Sequence, residues 1–198
     1  MGVVAHLAVM RSPHDSDVRQ IAALSARLAY LFMCLTLAWG VFAATGWISR
    51  ITGRTAVRAT HLVFAVFTIA FGVLHAASFL FLTDASELFN PLMLTVPLAD
   101  GSLLRWALGI VGLELMIAIA VIVVLQHRVN YRRWLRFHQL GYAAVALTAV
   151  HSWLGALANG HLELLWLAGI TITAPVIVLC VLRFTPSRVL VSAGLLNG

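Results

Sequence analysis

The stretch RATHLVFAVFTIAFGVLH, residues 58–75, decides how this chain is read. After Arg58 it carries no charge, and it holds two imidazoles, His61 and His75, fourteen residues apart. A second stretch, RRWLRFHQLGYAAVALTAVH at 132–151, repeats the arrangement with His138 and His151. The apolar run in each approaches the ~20 residues a helix needs to cross a bilayer. Imidazole is a poor lipid-facing group, and ionisable side chains at membrane depth mark function by default. Each run has one imidazole near its start and one well inside, which points to iron as the shared partner.

The surrounding chain fits a membrane setting. It is 62% hydrophobic and 10% charged, with mean hydropathy +0.98; soluble domains carry about a quarter charged residues. Apolar blocks run at 28–48, 59–82, 106–126, 137–158 and 164–182. They predict an all-α integral membrane protein, a bundle of five transmembrane helices over 28–183. Residues 1–27 are expected to be a disordered or interfacial tail, and 184–198 a C-terminal tail. Trp47, Trp106 and Trp134 suit interfacial belts, Pro91 and Pro97 break the second connection, and Pro175 should kink the last span.

All thirteen basic residues are arginine and the net charge is +6. They sit in short connections, where they orient helices and meet anionic lipid, which leaves no role for nucleic acid. Arg50, Arg54 and Arg58 follow the first span, Arg128, Arg132, Arg133 and Arg136 the third, and Arg183 and Arg188 the last. These ends, and with them the C-terminus, are expected in the cytoplasm of a plasma (bacterial inner) membrane, with the N-terminus outside. Cys34 and Cys180 fall inside apolar blocks, and the absence of C-x-x-C and C-x-x-C-H argues against thiol redox chemistry and covalent haem.

With this topology the second and fourth spans run in the same direction. His61 and His138 then share one depth and His75 and His151 another, roughly 20 Å away along the axis. Two b haems, each held by one imidazole from each helix, would fill the iron's axial positions and suit electron transfer. Phase supports this unevenly: fourteen residues bring His61 and His75 to within about 40° of one another, whereas thirteen leave His138 and His151 roughly 140° apart. Arg58, three residues before His61, can meet a haem propionate, as can Arg132 and Arg136 at the entrance to the fourth span. Their orienting role alone also accounts for them.

Both stretches resemble the haem-bearing helices of the ferric reductase-like transmembrane superfamily. That superfamily includes NADPH oxidases, ferric reductases and the haem membrane subunit of bacterial methionine sulfoxide reductase systems. The run Trp134, His138, Tyr142 is similar to its bacterial members. The resemblance implies that His61, His75, His138 and His151 are ligands of two haem b groups. It also implies a membrane reductase subunit passing electrons to an outer acceptor. Family members usually have six spans, and many continue into a flavin and nicotinamide domain. Here five are counted and no G-x-G-x-x-G loop occurs, so the expected donor is a separate flavoprotein or membrane quinol, with quinone a further cofactor candidate.

Glu114, inside the third span, is the candidate catalytic group, either as a proton relay or as a protonated hydrogen-bonding partner of a neighbouring helix. Gly109 and Gly112 beside it suit close helix contact, and Gly72 and Gly141 suit either porphyrin or packing. His127 and His161 read as interfacial and solvent-facing. The rival function is a haem-free helical anchor or small transporter centred on Glu114.

Overall fold

The computed structural model describes residues 12–45, 52–83, 90–97, 104–160, 177–178, 181 and 184–192. Among these there is no strand. The helices are α1 (Pro13–Thr45), α2 (Arg54–Ser78), α3 (Pro91–Thr95), α4 (Leu104–Val124), α5 (Tyr131–Asn159) and α6 (Ser187–Ser192). A 3-10 turn, Phe79–Phe81, continues α2, and another, Gln126–Arg128, leads from α4 towards α5.

Helices α1, α2, α4 and α5 are each long and apolar enough to span a membrane. The expected fifth span, 164–182, lies outside the described residues except for Ile177, Val178 and Val181, all exposed.

The first helix begins at Pro13 and not near Leu28, so residues 13–27, expected in a tail, are helical. Its start has a local cause. Ser12 Oγ accepts the amide of Asp15 at 3.1 Å, Pro13 occupies the first turn without needing a donor, and the Asp15 carboxylate favours the positive helix end. At 33 residues α1 outlasts a ~30 Å hydrocarbon core. Its charged first turns therefore extend past the apolar stretch that hydropathy detects.

Asp15 also fastens this end. Its Oδ1 accepts from both the amide and the hydroxyl of Thr83 at 2.9 Å, and the His14 ring bonds the Phe81 carbonyl at 3.0 Å. The start of α1 is thereby tied to the chain leaving α2. At the other connection, Asn130 caps α5 by accepting from the Arg132 amide, and Gly160 ends α5 in the left-handed region at φ 70°.

Helix α1 packs antiparallel along α2, and α4 antiparallel along α5. Phe32 lies against Phe64, Phe67 and Phe71, and Trp39 meets Phe64 edge-on, closing the first pair with aromatic contacts. In the second pair Gly112 lies against Thr148, where a methyl group would clash, so the backbones approach closely. The two pairs meet with α1 against α5 and α2 against α4, leaving α2 and α5 on a diagonal. At mid-depth Tyr30, Met33 and Cys34 of α1 pack with Met116 of α4 and Val145 and Ala149 of α5. Large apolar side chains such as Val66, Phe67, Val121 and Val150 are exposed; a surface of this kind belongs against lipid.

Candidate haem-binding site

The four histidines meet across the diagonal as two pairs. His61 and His138 have ring centres 6.0 Å apart, and His75 and His151 have ring centres 6.3 Å apart. Early residue meets early and late meets late, so α2 and α5 run in the same direction. One pair lies towards the end bearing Arg54, Arg58, Arg132 and Arg136; the other lies towards the Asp15–Thr83 fastening.

Three of the rings are oriented by backbone carbonyls on neighbouring helices. Nδ1 of His61 bonds the Thr36 carbonyl at 3.0 Å, Nδ1 of His75 the Ala22 carbonyl at 2.8 Å, and Nδ1 of His151 the Arg105 carbonyl at 2.7 Å. A carbonyl can only accept, so Nδ1 carries the proton and Nε2 keeps a free lone pair. This is the arrangement that prepares imidazole to bind metal, with the second-shell bond fixing tautomer and ring direction.

Each acceptor carbonyl lies one helical turn before a small residue. Gly40 follows Thr36 by four positions, Ala26 follows Ala22, and Gly109 follows Arg105. In a helix the carbonyl of residue i points along the axis towards residue i+4, so a small side chain there leaves room for an imidazole. The contacts bear this out at both glycines: a Cβ on Gly40 would lie 3.2 Å from His61 Cε1, and one on Gly109 would lie 2.7 Å from His151 Nδ1.

His138 is held differently. Its Nδ1 is buried and has no hydrogen-bond partner among the described residues. Instead the Trp134 indole lies flat against the ring, with centres 5.2 Å apart and planes 11° apart, and Tyr131 stacks behind Trp134 at 5.6 Å.

The phase mismatch along α5 is resolved by this packing. Two directions about 140° apart can straddle one partner, each about 70° to a side. His151 leans towards α4, where it finds the Arg105 carbonyl and the Gly109 notch, and still faces His75 across the diagonal.

The donor set fits haem. A bare metal ion usually needs three or more protein ligands, and no cluster of three or more His, Cys, Asp or Glu is found among the described residues. Porphyrin brings four nitrogens of its own and asks the protein for two axial imidazoles, which is what each pair offers.

The other expected site residues lie apart from the pairs. Arg58, Arg132 and Arg136 are exposed at the arginine-rich end. Glu114 is exposed, on a face of α4 about 140° to 160° from Gly109 and Gly112. Arg105, which contributes its carbonyl, has its guanidinium 5.2 Å from the Trp106 ring centre. Sequence reasoning missed Thr36, Gly40, Ala22 and the carbonyl role of Arg105.

Residues 25–150 match the family described as ferric reductase like transmembrane component. That range covers α1 from Ser25 onward, all of α2 and α4, and α5 to the residue before His151. Neither the curated proteins nor the solved structures yield a match. Matched over well more than half its length, the chain belongs to the ferric reductase-like transmembrane family.

Proposed function

We propose that the protein is a transmembrane di-haem b-type cytochrome, the membrane subunit of a reductase. It would carry electrons from a separate cytoplasmic flavoprotein or membrane quinol to an acceptor at the outer face. The observation that carries this reading is the pairing of His61 with His138 and His75 with His151 at 6.0 and 6.3 Å. When bound, each haem supplies a one-electron iron couple whose potential the protein tunes through axial ligands, burial and hydrogen bonds.

The chain's own residues hold and orient those groups. Thr36, Ala22 and Arg105 fix three imidazoles through their carbonyls, and Trp134 fixes the fourth by stacking. His61 with His138 and His75 with His151 would hold the two haems, and the acceptor served by the couple they supply would be ferric iron, oxygen or an oxidised partner protein. Arg58, Arg132 and Arg136, exposed at the arginine-rich end that arginine counting assigns to the cytoplasm, would be the partners for haem propionates there.

A haem-free anchor or small transporter centred on Glu114 receives less support, because Glu114 is exposed and turned away from the helix contacts. The deciding experiment is a reduced-minus-oxidised spectrum with a pyridine haemochrome assay on purified protein. Sharp α and Soret bands with about two haems per chain are expected. Colourless protein from haem-replete cells would overturn the proposal in favour of the anchor.

A further inference from the structure

We propose that the two haem sites are electronically unequal, with the higher reduction potential at the His61–His138 site, and that Trp134 is a positioning residue for that site alone. This rests on the di-haem reading above.

The inequality follows from the ring partners. In the His75–His151 pair both imidazoles donate Nδ1–H to carbonyls, at 2.8 and 2.7 Å. In the His61–His138 pair one donates, at 3.0 Å, and the other has no acceptor among the described residues. Donation from Nδ1 pushes electron density towards Nε2 and raises ligand basicity. A more basic ligand stabilises the ferric state over the ferrous state, which lowers the potential. The pair with two short bonds is therefore the low-potential site.

Fixed charge acts in the same direction. Arg54, Arg58, Arg132 and Arg136 lie at the His61–His138 end, and cations nearby favour the form carrying the extra electron. Towards the other end Arg19, Arg27 and Arg105 are set against Asp15 and Asp17, and the Arg105 guanidinium sits over Trp106, so the excess of positive charge is smaller there.

Trp134 cannot replace the missing acceptor, because an indole N–H only donates. Its Nε1 is itself buried without a partner among the described residues. The indole can set the angle of the His138 ring through its flat contact, four residues away on the same face of α5. It thereby orients a ligand without making that ligand more basic. The first electron to enter the protein rests at the arginine-rich end.

The test is potentiometric titration of purified protein with the haem count measured alongside. Wild type should hold two haems and show two resolved one-electron waves. Trp134→Leu should shift or abolish the upper wave and leave the lower in place. Trp134→Phe, which keeps a flat ring, should restore the upper wave and the ferric low-spin EPR signal that goes with it. A single unresolved wave in wild type overturns the proposal, as does movement of the lower wave, of both waves or of neither. His138→Ala is an independent check that does not depend on how well the tryptophan variants fold: the surviving wave should be the lower one, and survival of the upper overturns the assignment. A wild-type count below two haems overturns the di-haem reading itself, and this inference with it.

Discussion

Gly109 lies directly beneath the His151 ring: a methyl group there would sit 2.7 Å from Nδ1 and 2.8 Å from Cε1. No carbon makes such a contact, so Gly109→Ala must push the imidazole off the Arg105 carbonyl. Losses of this second-shell kind cost about 10–100-fold in metal affinity. Haem content should fall towards one per chain by pyridine haemochrome assay. Gly40→Ala, whose nearest approach to His61 is 3.2 Å, should be milder and retain most of its haem.

The diagonal pairing makes a prediction that composition cannot. His61→Ala and His138→Ala should each remove the same haem, and the double variant should lose no more than either single one. His61→Ala combined with His75→Ala should remove both. If the His61/His138 double variant were haem-free, the ligands would be paired along a helix rather than across the bundle.

The Asp15–Thr83 fastening should matter for stability more than for haem. Asp15 is 3% exposed and accepts two bonds from Thr83; bonds to a charged acceptor contribute about 1.5–3 kcal/mol each. Asp15→Ala should destabilise the protein by about 2–4 kcal/mol, read as a lowered Tm in detergent, with both haems kept. Thr83→Val should cost less, since the amide donor remains. The double variant should be less destabilised than the sum of the two, because both act on one contact.

Glu114→Gln should leave haem content and spectra unchanged, because the carboxylate is exposed and faces away from both imidazole pairs. A change in the spectrum of either haem would return it to the site.

The four candidate ligands were legible because four imidazoles stand out in apolar runs and their spacing matches on two helices. Their depth pairing followed from the topology. Other features left fainter traces. The start of α1 is written in Ser12, Pro13 and Asp15, but hydropathy reads the nearby charges as the end of a span, while the helix runs on beyond the bilayer core. Backbone acceptors have no side-chain signature, so Thr36, Ala22 and Arg105 were invisible as partners. Their residue is the small side chain four positions later. Gly109 suggested close helix packing, and what packs there is an imidazole. The 140° phase difference looked like an obstacle because a helical wheel measures Cα directions, and a histidine ring swings well away from its own Cα vector.

The cluster of Tyr30, Met33, Cys34, Met116, Val145 and Ala149 fills mid-depth between the imidazole layers and contains no carboxylate or imidazole. On the di-haem reading, an electron passing from one layer to the other would work with or against a share of the membrane voltage, which is worth about 2.3 kcal/mol per charge for every 100 mV across the full bilayer. The rate of such a protein would answer to how energised its membrane is, as well as to the supply of reductant.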